Sequence, residues 1–179
     1  VVVVCPGRGS YSRDTSNYLS NLSPDMIEQI NIFDSKRVDA NLPEIAELDK
    51  NTFRAKTHMA GENASSLIYA CSLNDFMLID KEKYDIVAIC GNSMGWYISL
   101  ALGNAINFEN GYDLIQTMGT LTQTHGLGGQ IIYPIIDNEW KIDFGKKEML
   151  LKEIENVNAY VSIYLGGYIV IGGEQKSLD

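Results

Sequence analysis

A serine set between two glycines is the arrangement in this chain best suited to covalent chemistry. Gly91-Asn92-Ser93-Met94-Gly95 follows the apolar run Ile86-Val87-Ala88-Ile89-Cys90 and leads into Trp96-Tyr97-Ile98-Ser99-Leu100-Ala101-Leu102. A buried strand that turns into a helix through Gly-x-Ser-x-Gly is the sequence form of a nucleophile elbow. The small residues let the turn close, and the hydroxyl projects above the sheet. The helix behind Ser93 offers its positive end, and the amide of Met94 can face an oxyanion developing on an attacked carbonyl. A second glycine-rich loop, Pro6-Gly7-Arg8-Gly9-Ser10, follows the β-branched run that ends at Cys5. In a parallel sheet, loops leaving the carboxyl ends of adjacent strands meet, and ligands bind there. The pair predicts an oxyanion hole made by backbone amides at the first loop and at Met94, with Ser93 as nucleophile. The plain alternative is a strand–turn–helix that carries a serine.

Around these loops the elements read as follows. Val1 to Cys5 is predicted to be a buried, central strand. Ser23-Pro24-Asp25 is a helix start, with a serine N-cap, proline at the first position and an acid in the first turn. Met26, Ile27, Ile30 and Phe33 then follow at helical spacing. Short and long helices are expected from Pro43 to Leu48 and from about Gly61 to Ile79. Asn107 caps a further helix through Leu114, Met118 and Leu121. Helices alternating with strands predict a mostly parallel sheet covered on both faces. After Gln123 the texture changes. Thr124 to Gly129 reads as a flexible connector, Ile131 to Ile136 as a strand, and Lys146 to Asn156 as a helix with Met149, Leu150 and Ile154 inward. Tyr160 to Leu165 and Tyr168 to Ile171 form a hairpin at Gly166-Gly167. Strand–helix–strand–strand is the first part of a split β-α-β unit, and the chain stops at Asp179 where its next helix is expected. The resulting fold class is α/β: an α/β-hydrolase-like, parallel-sheet body over residues 1–125 with an inserted ferredoxin-like subdomain, incomplete at 130–179.

Composition narrows the function classes. The chain has 179 residues, 45% of them hydrophobic, enough for one domain or a domain and part of a second. Its net charge of −9, from 14 basic and 23 acidic residues, excludes a general nucleic-acid binder, which needs a basic face. No apolar run approaches a membrane span. The three cysteines, Cys5, Cys71 and Cys90, lie in apolar segments without metal-ligand spacing, which reads as buried free thiols in a cytoplasmic protein with no metal.

Taken together, the motifs resemble those of the malonyl-CoA:acyl-carrier-protein acyltransferases and the acyltransferase domains of fatty-acid and polyketide synthases. That family carries Pro-Gly-Gln-Gly-Ser after its first strand and Gly-His-Ser-Leu-Gly-Glu-Tyr at its nucleophile. These are similar to Pro6-Gly7-Arg8-Gly9-Ser10 and Gly91-Asn92-Ser93-Met94-Gly95-Trp96-Tyr97. Its Thr-Gln-Pro-Ala resembles Thr57-His58-Met59-Ala60, and its Gly-x-Ile/Leu-Ser-Phe-Glu/Asp segment resembles Gly103 to Glu109. Its Gln-Val-Val-Ile-x-Gly strand resembles Tyr168 to Gly173. The resemblance implies ping-pong acyl transfer. Ser93 would take an acyl group from coenzyme A as an ester and pass it to the phosphopantetheine thiol of an acyl carrier protein. It places the amides of Arg8 and Met94 in the oxyanion hole and His58, Asn92, Trp96 and Met118 around the substrate. It implies no tightly bound cofactor, only acyl-CoA as substrate, and a catalytic histidine beyond Asp179, with His58 and His125 in surface or supporting roles.

Some positions depart from the family pattern. Met118-Gly119 stands where malonyl-selective members carry Arg-Gly, which points to an acyl group without a free carboxylate, because an unpaired buried charge is costly. The counter-reading lets Arg8, at a glutamine position, supply the missing cation. Asn92, Trp96 and Tyr164 replace the family's usual histidine, glutamate and asparagine. Lys141, Lys146, Lys147 and Lys152 form the one local basic group able to meet an acidic carrier; the other reading is a solvated helix face. Two further functions stay open: a serine acyl-hydrolase built on the same elbow, and a non-catalytic carrier-binding domain.

Overall fold

Strand β1 (Val2–Cys5) lies parallel to β2 (Ala88–Gly91), with Val2 opposite Ala88 and Cys5 opposite Gly91. Side chains alternate across a strand, so Val3, Cys5 and Ile89 turn to a helical core while Val2, Val4 and Cys90 turn away from it. The computed structural model describes residues 1–179, which divide into Val1–His125 and Gly126–Asp179. Within the first unit the sheet is covered on one face, not on both as the sequence predicts. Val2 is 56% and Val4 70% exposed within residues 1–179. The cysteines are corrected for the same reason. All three are free, but only Cys5 is buried; Cys71 is half-buried and Cys90 exposed. Burial pushes the Cys5 thiol up to about 11.

Helices supply the rest of that unit: α1 (Pro24–Asp39), α2 (Ile45–Lys50), α3 (Ala55–His58), α4 (Gly61–Met77), α5 (Gly95–Leu102) and α6 (Phe108–His125). The Ser23 hydroxyl accepts from the amide of Met26 at 3.2 Å, and Asn107 Oδ1 from that of Asn110 at 2.7 Å, so both expected caps form. Met26, Ile30 and Phe33 of α1 pack with Leu67, Tyr69 and Leu73 of α4 and with Tyr112 and Ile115 of α6. The Phe33 and Tyr112 rings stack with centroids 4.7 Å apart. Arg37, wholly buried, spends its donors on neutral oxygens of Pro43, Glu62, Asn63, Ser66 and Gln116, which joins α1, α4 and α6. Helices α4 and α6 approach so closely that a Cβ on Gly119 would lie 2.5 Å from the carbonyl oxygen of Gly61. Helix α6 runs through Thr124 and His125, which the sequence reading places in a connector; the break comes at Gly126.

The second unit is an antiparallel sheet, order β3-β5-β4, formed by β3 (Gly129–Pro134), β4 (Tyr160–Leu165) and β5 (Tyr168–Gly173), with α7 (Phe144–Asn156) and α8 (Gln175–Leu178). Gly166, at φ +60°, makes the β4–β5 turn. Ile135, Ile154, Ala159, Ile169 and Ile171 form its core. Met149 of α7 is 73% exposed rather than inward, because the core-facing stripe of α7 passes through Leu150, Leu151 and Ile154. The α/β class read from the sequence stands, with a parallel pair and a small antiparallel sheet. No helix is long and apolar enough to cross a membrane.

Candidate active site

Ser93 has φ +54°, the left-handed region that costs a residue with a Cβ on the order of 1 kcal/mol or more. The turn around it closes because its flanks lack side chains. A Cβ on Gly91 would overlap the carbonyl of Gly95, and one on Gly95 would overlap the carbonyl of Cys5. The first loop also approaches: a Cβ on Gly7 would sit 3.2 Å from the Asn92 carbonyl oxygen and 3.5 Å from Ser93 Cβ. The two glycine-rich loops therefore meet at the carboxyl ends of β1 and β2, and Ser93 stays exposed at their junction.

Some backbone amides near Ser93 are paired and others are not. The amide of Gly95 bonds to the Asn92 carbonyl at 2.8 Å and that of Trp96 to the Ser93 carbonyl at 3.0 Å, whereas the amides of Met94 and Arg8 have no acceptor in the chain. Met94 also lies at the N-terminal end of α5, where the helix dipole favours negative charge.

A cleft of about 470 Å³ opens beside Ser93. Met94, Trp96, Tyr97, Ile115 and Met118 give it apolar walls, and Arg8, Ser65 and Thr122 give it polar edges. Ile115, Met118, Gly119 and Thr122 present one face of α6, at helical spacing. Of these Met118 and Gly119 enter the sequence reading, and the helical spacing from Met118 marks Ile115 and Thr122. Trp96 is 65% exposed and half-buried Met118 shares the cleft with it. Asn92 is exposed on the elbow, its carbonyl engaged in the turn; its side chain makes no hydrogen bond.

Arg8 crosses to α6. Its Nη1 donates to Thr122 Oγ1 at 3.0 Å, and no carboxylate lies within ion-pair distance of it. Of the surface and supporting places expected for His58, the structure excludes the first. His58 is buried, not at the surface, and both ring nitrogens face backbone. Nδ1 receives the Arg54 amide at 3.0 Å, and Nε2 lies 3.0 Å from the Leu48 carbonyl, to which it donates. Backbone groups thus engage both ring nitrogens, which leaves none free for substrate. It stacks on Tyr11, whose hydroxyl donates to the buried carboxylate of Asp49 at 2.8 Å. Asp49 also receives the amides of Tyr18 and Leu19. His58 and Asp49 thus brace the loop that carries Arg8. His125 ends α6 and is exposed, with Nδ1 against Thr124 Oγ1. No histidine, aspartate or glutamate lines the Ser93 cleft, and no cluster of side chains suits a metal ion.

Solved structures share this architecture across nearly the whole chain. The malonyl-CoA:ACP transacylase of Synechocystis superposes with a TM-score of 0.75 at 15% identity, over 99% of this chain and 56% of that one. The transacylase of Clostridium perfringens gives 0.73 at 22% identity, over 99% and 54%. A malonyl-transacylase solved with its type II polyketide acyl-carrier protein gives 0.73 at 18%, over 99% and 56%. The chain has the malonyl-CoA:acyl-carrier-protein transacylase fold. It spans about half the length of those transacylases. No protein-family model matches its sequence, and no curated protein is similar to it. The transacylase fold brings Ser93, Met94, Trp96, Met118 and Arg8 to one cleft and leaves His58 behind the loop. The lysine group of the second unit is largely spent internally. Lys141 pairs with Glu139 at 2.7 Å and Lys152 with Glu148 at 3.0 Å, while Lys146 donates to the Ile136 carbonyl. Only Lys147, over the Tyr164 ring, has neither an anionic nor a carbonyl partner.

Proposed function

We propose that this chain carries the nucleophile of an acyltransferase that moves an acyl group from coenzyme A to the phosphopantetheine thiol of an acyl carrier protein, in fatty-acid or polyketide synthesis. The observation that carries the reading is Ser93 held at φ +54° between Gly91 and Gly95, beside two unpaired amides. A strained, exposed serine next to free donors is what nucleophilic attack on a carbonyl requires.

In the first half-reaction Ser93 Oγ adds to the thioester carbon. The carbon–sulfur bond then breaks, and the hydroxyl proton leaves with the coenzyme A thiol. In the second, the carrier thiol adds to the seryl ester, the carbon–oxygen bond breaks, and the proton returns to Ser93. The amides of Arg8 and Met94 donate to the tetrahedral oxyanion in both steps. His58 is locked to backbone, so the reading takes the proton acceptor from outside residues 1–179. The similarity to a transacylase solved with its carrier protein supports the carrier as acceptor. The apolar walls of the cleft support an acyl group as cargo.

The test is intact-mass measurement of the full-length protein after incubation with a panel of acyl-CoAs. Wild type should gain one acyl group and Ser93→Ala none; an adduct that survives the substitution sinks the assignment. Addition of carrier thiol should then discharge the adduct faster than water does. Equal discharge by water would make the protein a hydrolase.

A further inference from the structure

Ser65 of α4 is the one polar side chain lining the Ser93 cleft that is buried. It is 2% exposed, whereas Arg8, Ser93 and Thr122 are open to solvent. It lies where α4 meets α6, and a Cβ on Gly119 would sit 2.5 Å from its Oγ. Nearby hydroxyls are spent. Ser66 bonds to Gln116, and Ser72 donates to the Ile68 carbonyl at 2.8 Å. Thr122 Oγ1 accepts from Arg8 and donates to the Gly119 carbonyl at 2.9 Å. The Ser65 hydroxyl makes no hydrogen bond within the chain. Ser16 Oγ is the one fully enclosed side-chain atom left without a partner, so the sliver of Ser65 that remains uncovered includes its Oγ, and it opens on the cleft.

Packing does not explain this hydroxyl. The close approach of Gly119 needs a small residue at position 65, and alanine is both smaller and a better helix former. A buried hydroxyl without a partner costs the fold stability. Its partner has then to come from what the cleft holds. A hydrocarbon chain would leave it unpaired. A carboxylate would need a cation as well, and Arg8, the only one in the lining, is exposed and turned to Thr122. A neutral hydroxyl or keto oxygen brings no charge and pairs with a serine that can either donate or accept.

We propose that Ser65 is a specificity-determining residue that reads a neutral oxygen carried on the acyl chain held by Ser93. The proposal rests on the acyltransferase reading above. It makes the favoured cargo a hydroxyacyl or oxoacyl group, with its hydrocarbon part along the apolar walls of the cleft and its oxygen hydrogen-bonded to Ser65.

The two enantiomers of 3-hydroxybutyryl-CoA, and 4-hydroxybutyryl-CoA, match butyryl-CoA in chain length and differ from it by one hydroxyl. At least one of them should acylate Ser93 of the wild type about tenfold faster than butyryl-CoA does. Ser65→Ala should bring that donor within about twofold of butyryl-CoA, chiefly by slowing it. If no hydroxylated donor outpaces butyryl-CoA, a water satisfies Ser65 and the proposal is overturned. A preference that survives Ser65→Ala, or equal slowing of all donors, also overturns it. Urea unfolding separates recognition from packing: Ser65→Ala should be at least as stable as wild type, and a marked loss of stability would make the hydroxyl structural. A binding measurement distinguishes these failures from failure of the acyltransferase reading. In a Trp140→Phe background, Trp96 in the cleft is the remaining tryptophan of the two in the chain. The methyl ester of the favoured hydroxybutyrate should perturb its fluorescence at concentrations where methyl butyrate does not, and Ser65→Ala should abolish the difference. If no donor acylates the protein but this difference holds, the acyltransferase reading falls and the Ser65 site stands. Equal response to the two esters overturns the site.

Discussion

At Ser93, backbone strain falls on the residue proposed as the nucleophile. The left-handed φ of +54° lifts the hydroxyl out of the turn, and the stability cost falls on the Cβ that any residue except glycine must place there. This separates two substitutions that are chemically equivalent as knockouts. Both Ser93→Ala and Ser93→Gly remove the proposed nucleophile, but only glycine relieves the strain. Ser93→Gly should be more stable than Ser93→Ala by about 1 kcal/mol in urea unfolding. Equal midpoints would mean that the turn holds Ser93 without strain. The sequence showed this residue because glycines at fixed spacing on either side are a local signal. The glycine-rich loop from Pro6 to Ser10 was legible for the same reason. The Arg8 side chain was not legible, since its partner Thr122 lies on α6, far along the chain. Nor was the fate of His58. Its bonds to Arg54 and Leu48 depend on how α2 and α3 fold against each other, and a lone histidine gives no sign of that.

Helix ends show where local signals stop and tertiary ones begin. Ser23 and Asn107 cap their own helices and were legible from sequence. Helix α2 has no such cap. Glu44 at its N-cap position makes no side-chain bond, and the first amides go instead to Asp34 of α1, which accepts from Ile45 and Ala46. No local pattern reveals a cap lent by another helix. The same packing decides which side of a strand is wet, so the exposure of Val4 and Cys90 was equally illegible. The lent cap has a consequence for pH. Burial raises the Asp34 pKa, and the two backbone bonds and the charge of Arg37 only partly oppose it. The native state thus binds this proton more tightly than the unfolded chain does. Its contribution is full below the unfolded carboxylate value and is lost as pH rises through the folded pKa. Asp34→Asn keeps one acceptor and cannot titrate. It should therefore destabilise more at about pH 3 than at about pH 7, the comparison being made by urea unfolding at each pH. A penalty that grows with pH would show that the carboxylate is favoured in its charged form.

At the scale of the chain, the two units differ in how much core they own. Val1–His125 buries side chains from α1, α2, α4, α5 and α6 in one cluster that includes Phe33, Tyr69 and Tyr112. Gly126–Asp179 buries Ile135, Ile154, Ala159, Ile169 and Ile171 and little else. Its sheet leaves Ile132, Tyr160 and Tyr164 exposed. Small units bury a smaller share of their surface, and a core of a few aliphatic side chains supplies only about 3–5 kcal/mol. The strands of the second unit should then open at lower free energy than the helices of the first. Hydrogen exchange followed by mass spectrometry of the intact protein measures this directly. Amides of β4 and β5 should lose protection well before those of α4, whose central residues Leu67, Tyr69 and Leu73 are wholly buried. Between the units, Leu127 is 94% exposed, and chymotrypsin should cut there first, since exposed loop positions are where proteolysis concentrates. Exchange of β5 and α4 at one common rate would show instead that the chain unfolds as a single cooperative body, with the small core drawing its stability from the large one.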